Sequence, residues 1–285
     1  MTASKAWLEV ALNGPFTRRL QSLIPITVDE IVADGIACAE AGAAIVHVHA
    51  YDAETGRQND DPDLYAEIIG RIGEKTGAIV YPTLALGGDS DARYAPVEAL
   101  GAKGLLEWGV VDPGSANLTL RSQIARDESG LLYANTDDHI RQGLELAVRY
   151  GFHPGYAIYE PGFARSGAAW AARYPGLPQP IYRLMFTDDF TFGFPPKRYA
   201  LEAYHQLLAE VAPDAPWMIA GLGVDVLPIA ADALAMGAGI RVGLEDAPLG
   251  CTRRNPELVA EAVATMKAAG YAPATPDEVR ARFGG

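Results

Sequence analysis

Short apolar runs and longer amphipathic stretches alternate along the whole chain. The first run, residues 7–13, stops at Gly14-Pro15, and similar runs follow at 43–52, 78–83, 104–111, 155–160, 181–187, 217–221 and 239–245. Their lengths and their Val, Ile, Leu and aromatic content predict strands. Helix signals fill the gaps. In Thr27-Val28-Asp29-Glu30 the Thr27 hydroxyl can accept an orphan backbone N–H while Glu30 reaches back, a capping box. That helix runs to Ala41, where Gly42 suits the C-terminal cap. Further helices are predicted over 62–75, 92–100, 136–150, 163–172, 196–211, 224–236 and 255–269. Pro256 takes a first-turn position, where its missing N–H costs nothing, and Thr275-Pro276-Asp277-Glu278 caps one last short helix.

Eight strands alternating with eight helices, without a linker or a shift of composition, predict an α/β fold: a single-domain TIM (β/α)8 barrel over 1–285 with a short C-terminal helical extension. A doubly wound open sheet is the alternative. Such sheets usually announce a glycine-rich phosphate turn after the first strand, and Gly14-Pro15 is not one. The segment 112–135 is polar and longer than most barrel connections, and long loops in compact domains are often functional.

Composition narrows the function class more than the fold. The 285 residues, 49% of them hydrophobic, can bury a large core. A net charge of −13 argues against binding nucleic acid or anionic membranes, which requires basic surface. An anionic small substrate remains open, provided the cleft holds a local cation, so a buried or strand-end arginine is sought. No apolar run reaches the roughly 18 residues of a membrane span, and residues 1–5 lack a signal-peptide pattern, so a cytoplasmic protein is expected. Cys38 and Cys251 have no metal-type spacing and suit a reducing compartment.

His47 and His49 end the second strand two residues apart. On a strand that rises roughly 3.3 Å per residue, both point the same way and can converge on one metal ion. Zinc commonly takes His and carboxylate ligands and keeps one position open in catalytic sites, so the two histidines with Glu245 would satisfy it. The plain alternatives are a hydrogen-bonded strand pair for the histidines, a solvated loop carboxylate for Glu245 and its salt-bridge partner for Arg241. Glu245 and Asp246 adjoin, so a regular strand would point them to opposite faces unless the chain turns between them. Thr83, Glu160, Arg241, Glu245 and Asp246 all fall at strand ends, where barrel enzymes place catalytic groups. Tyr51, Trp108, Tyr159 and Phe190 could line a pocket or simply pack.

The stretches 41–49, Ala220-Gly221-Leu222-Gly223, Arg241-Val242-Gly243-Leu244-Glu245-Asp246 and the tail from Asn255 resemble the β-keto acid cleavage enzymes, the family first recognised through 3-keto-5-aminohexanoate cleavage. The resemblance covers nearly the whole chain. It implies a zinc-containing TIM barrel, one Zn2+ per chain, that condenses a β-keto acid with acetyl-CoA to give acetoacetate and a new acyl-CoA. It also implies His47, His49 and Glu245 as metal ligands, Asp246 as the catalytic base, Arg241 as its partner and a holder of the substrate's anionic end, and Thr83 as the strand-three hydroxyl. A homo-oligomer, a tetramer being one form, is expected as well.

This chain departs from the family pattern at Tyr51, where an arginine is usual, and at Thr83, which is separated from Gly87-Gly88 by three residues. The segments 115–135 and 188–194 depart too. These differences lie where substrate side chains would be read, which makes Tyr51 and Glu160 candidate substrate contacts. Glu160 would recognise a cationic substituent or cap the following loop. Two competing readings are a zinc barrel that hydrolyses or retro-aldol-cleaves a keto acid without CoA, and a small-molecule-binding barrel with structural zinc.

Overall fold

A computed structural model describes residues 3–283; the two residues at either end, included in the expected 1–285 domain, lie outside the described residues. Eight parallel strands form the core: β1 (Leu8–Ala11), β2 (Ile45–Val48), β3 (Ile79–Pro82), β4 (Trp108–Val110), β5 (His153–Ile158), β6 (Ile181–Phe186), β7 (Trp217–Gly221) and β8 (Gly239–Val242). The hydrogen-bonded order is β3-β2-β1-β8-β7-β6-β5-β4, the succession of a TIM barrel that is nearly closed, with no ladder between β3 and β4 among the described residues. The seam between β3 and β4 is filled by side chains, with the rings of Tyr81 and Trp108 6.1 Å apart.

The helices between strands are α1 (Val28–Ala41), α2 (Pro62–Thr76), α3 (Ser90–Ala102), α4 (Asp137–Tyr150), α5 (Pro161–Ala171), α6 (Arg198–Val211), α7 (Ala230–Ala235) and α8 (Asn255–Ala268). They follow the predicted alternation, with α7 shortened because its first turn, Leu227–Ile229, is a 3-10 helix. A closing helix α9 (Pro276–Arg282) brings Phe283 under the barrel, 5.7 Å from Trp7 and 5.3 Å from Trp108. Trp108 therefore plugs the bottom and stands away from the catalytic face. β4 begins at Trp108, four residues later than the apolar run suggested, so its first side chain lies at the N-terminal end.

Both long connections carry local structure of their own. The polar loop after β2 folds into a hairpin, Tyr51–Asp52 against Arg57–Gln58. The long segment after β4 folds into another, Ala116–Leu118 against Leu131–Tyr133, enclosing a short helix, Arg121–Ile124. No helix among the described residues is long and apolar enough to cross a membrane.

The capping box of α1 forms as the sequence predicts, and its Glu30 does more than cap. Its Oε2 accepts from Arg18 at 2.7 Å and from the backbone N–H groups of Ile26 and Thr27 at 2.9 and 3.1 Å. Partial burial pushes the carboxyl up, but these donors outweigh it and bring the pKa down from 4.5 to about 2. Because the folded value lies below the unfolded one, the stabilisation is complete above pH 4.5 and fades as pH falls toward 2. Glu30→Ala is thus expected to lower the thermal midpoint at pH 7, with the gap to wild type narrowing below pH 4.5, as followed by circular dichroism.

Candidate active site

The C-terminal ends of β1, β2 and β8 assemble one polar cluster. β2 stops at Val48, so His49 lies one residue past the strand that was expected to carry it. Asn13 extends the ladder in its place: its Oδ1 accepts the His49 N–H and its Nδ2 donates to the His49 carbonyl, both at 2.9 Å. The two imidazoles therefore still converge, with centroids 5.2 Å apart and planes at 82°.

β8 also stops early, at Val242, and the chain turns there. Gly243 has φ +139°, and a Cβ on it would stand 2.0 Å from the Ala11 carbonyl oxygen. Only glycine lets β8 pass this close to β1. The Gly243 carbonyl accepts from the N–H groups of Asp246 and Ala247 at 3.1 and 2.9 Å. Through this turn the adjacent Glu245 and Asp246 both face Arg241, which a regular strand would forbid.

Glu245 Oε2 stands 3.5 Å from Nε2 of His47 and 3.5 Å from Nε2 of His49. Neither Glu245 Oε2 nor His49 Nε2 makes a hydrogen bond among the described residues, although both are buried. Burial pushes His47 well below its usual range despite the opposing pull of Glu245, so its imidazole is neutral. Burial raises the Glu245 carboxyl, but the Arg241 guanidinium beside it outweighs this and holds the group ionised.

Two imidazole nitrogens and a carboxylate oxygen that face one another without hydrogen bonds among the described residues suit a cation. Ligand atoms around a tetrahedral ion with bonds of roughly 2.0–2.1 Å are about 3.3–3.4 Å apart, close to the spacing seen. Outside the triangle, His49 Nδ1 lies 2.9 Å from Gln58 Oε1, and Gln58 Nε2 donates to Asp60 Oδ1 at 2.7 Å. Gln58 is thereby turned with its oxygen toward His49, which makes Nδ1 the donor and leaves Nε2 with its lone pair. The hairpin after β2 supplies this support.

Arg241, 2% exposed, organises the anions. Its Nε and Nη2 grip Asp246 at 2.8–3.2 Å, Nη2 also meets Glu245 Oε1 at 2.9 Å, and Nη1 donates to Glu9 Oε1 at 3.2 Å. Burial outweighs Arg241 at Asp246 and raises that carboxyl to about 6. A cavity of about 600 Å3, open mouth included, lies over the cluster. Its polar lining comprises His47, His49, Thr83, Asp112, Arg183 and Arg241, with Glu245 at the edge of the triangle.

His47, His49, Thr83, Arg241 and Glu245 thus share one cavity. Asp246 joins them through Arg241 and faces the neighbouring crevice beside Val224 and Leu227. Tyr51 lies behind the wall, its hydroxyl donating to the carbonyls of Phe16, at 2.8 Å, and Gly14. Glu160 precedes α5 and accepts the Gly193 N–H at 3.3 Å, away from the lining. The residues that sequence reasoning passed over are Glu9, Arg183 and Asp112. All are buried, and Glu9 and Arg183 each interrupt an apolar strand run, the one signal that could have marked them.

The model of the β-keto acid cleavage enzymes matches residues 5–284. The chain belongs to this family. Its relatives include a 3-keto-5-aminohexanoate cleavage enzyme of Fusobacterium nucleatum, 27% identical over 93% of this chain and 92% of that one. A 3-oxoadipate:acetyl-CoA acetyltransferase of Cupriavidus necator is 28% identical over 84% and 79%. A 3-dehydrocarnitine:acetyl-CoA trimethylamine transferase of Rhizobium meliloti is 25% identical over 92% and 90%. Among solved structures, apo ObcA shares the fold with a TM-score of 0.73 at 20% identity; the match covers 92% of this chain and 65% of ObcA. Family membership makes the protein an enzyme of the acyltransferase type.

Gly243 decides whether this site can form. Gly243→Ala drives a methyl group into the Ala11 carbonyl, and a cost of about 2–4 kcal/mol is expected from overpacking and left-handed strain. Denaturant unfolding should report it as a lower midpoint with an unchanged slope.

Proposed function

We propose that the protein is a zinc-dependent β-keto acid cleavage enzyme that takes a β-keto acid and acetyl-CoA to acetoacetate and a new acyl-CoA. The observation that carries this reading is the His47–His49–Glu245 triangle, whose facing atoms lack hydrogen bonds among the described residues and open on the cavity. Charge supports a cationic occupant. The carboxylates of Glu9, Glu245 and Asp246 share the two guanidiniums of Arg183 and Arg241, which leaves an excess of one negative charge beside the triangle. An uncompensated buried charge is costly, which favours a cation there.

Zinc held by the triangle would act as a Lewis acid toward the oxygens of the keto acid. The chain's own groups divide the remaining work. Asp246 is the base for the carbon-bound proton, and its raised pKa of about 6 suits a group that takes and returns a proton near neutrality. Arg241 holds it, and the carboxylate must swing out past that guanidinium to reach a substrate in the cavity. Thr83, which lines the cavity, donates a hydrogen bond to developing negative charge on oxygen. The hairpin residues Leu118, Leu131 and Tyr133 cover the mouth and exclude water.

Metal analysis of the purified protein and a panel of β-keto acids with acetyl-CoA, followed by acetoacetate release, test this function. About one zinc per chain and CoA-dependent turnover of some panel member are expected. A protein that binds no divalent metal, or turnover equal with and without acetyl-CoA, would overturn it. His47→Ala should lose metal and activity while keeping its circular dichroism, whereas a purely structural zinc would unfold with it. Gln58→Leu should weaken zinc binding about 10- to 100-fold in a chelator competition, because His49 loses its orienting partner.

A further inference from the structure

Beneath the cavity one guanidinium is left over. Arg183 stands in the middle of β6, whose six residues are all buried, and reaches across the barrel to β1 and β3. Its Nη1 meets Glu9 Oε1 at 3.2 Å and the Tyr81 hydroxyl at 2.6 Å, and that hydroxyl donates to Glu9 at 2.6 Å. The opposite edge of the guanidinium is different. Nε is buried without a hydrogen-bond partner, and Nη2 makes no hydrogen bond among the described residues.

The Nε–Nη2 edge is the fork that grips carboxylates in two parallel bonds. In Arg241 that edge is closed on Asp246, and its remaining nitrogen is on Glu9. An anion entering the cavity therefore meets one arginine already facing three carboxylates and a second facing one, with its fork edge unpaired. Keeping a guanidinium buried with polar N–H groups unmet costs free energy, which an incoming carboxylate would offset. The rest of the wall is mostly apolar, with Leu84, Leu118, Leu131 and Met185; its other polar side chains include Tyr133 and Tyr159, and its further charge is Asp112.

We propose that Arg183, and not Arg241, binds the carboxylate of the keto acid, and that the cavity selects β-keto acids with a single carboxylate. The inference rests on the function proposed above. A second, terminal carboxylate would find no second open fork and would lie along a wall that carries Asp112. Tyr81 and Glu9 are then positioning residues that hold Arg183 beside His47, whose ring lies 4.6 Å from that of Tyr81.

Calorimetric titration of the zinc-loaded protein with acetoacetate tests the assignment, because that product is common to every keto acid in the proposed reaction. Arg183→Met is expected to weaken acetoacetate about 10- to 100-fold with zinc content unchanged, and Arg183→Lys to recover part of the loss. Glu9 keeps Arg241 in Arg183→Met, and the double variant with Glu9→Gln removes the stranded charge should the single one fold poorly. Wild-type binding that persists undiminished in both Met variants would overturn the role of Arg183 and leave the proposed function standing. A wild-type protein that does not bind acetoacetate would overturn that function itself. In turnover, a β-keto acid bearing a terminal carboxylate should show at least about tenfold lower kcat/KM than its uncharged analogue, one buried charge pair's worth of discrimination; a preference for the dicarboxylate would overturn the selectivity.

Discussion

Everything at the catalytic end of this barrel depends on how a buried excess of carboxylates is balanced. Arg241 is bonded to Glu9, Glu245 and Asp246 together, and Glu9 is shared onward with Arg183 and Tyr81. In a low-dielectric interior each of these charges would be prohibitive alone. Linked, they form a layer spanning β1, β3, β6 and β8, and the layer sets where each side chain points. Among the atoms that the network leaves without partners, Glu245 Oε2 and His49 Nε2 face a common point with His47.

The barrel contributes precision through backbone features of little chemical interest by themselves. Register places Arg241 beside Glu9, Ala11 beside His47 and His47 beside Tyr81, so neighbouring strands deliver partners to one level. Asn13 continues the β1–β2 pairing after both strands have ended and holds His49 by its backbone. Gly243 permits the close crossing of β8 on β1 that turns two consecutive acids inward. The hairpins after β2 and β4 finish the site, one through Gln58 behind His49 and the other through Tyr133, whose hydroxyl donates to Asp112 at 2.7 Å.

Family membership and this geometry bear on different questions. The relatives act on keto acids that differ widely by name, an amino-hexanoate, an oxoadipate and a dehydrocarnitine among them. A shared barrel end with variable walls accommodates such a range, since specificity resides in loops and wall residues while the reacting groups stay on strand ends. In this chain the wall is mostly apolar, and the positions that looked most distinctive in the sequence, Tyr51 and Glu160, are engaged in holding loops.

The order of elements was legible in the sequence because strand and helix signals are local: run length, capping residues such as Thr27 and Thr275, and glycine or proline at element ends. The family likeness was legible for a similar reason, since its histidines and the Arg241–Asp246 segment are contiguous motifs. Strand ends were less so. β2 and β8 stop early because Asn13 and the Ala11 carbonyl, remote in sequence, take over the pairing there. The buried layer was illegible for the same physical cause. Glu9, Tyr81 and Arg183 come from three strands separated by up to 174 positions, and a charge inside an apolar run says nothing of its partner until the barrel closes. The sequence by itself determined the alternation that makes a barrel and the residues that could hold a metal. The tertiary structure alone decided which charges meet, and so which arginine is left with an open edge, because ion pairing across a barrel is set by distance in space.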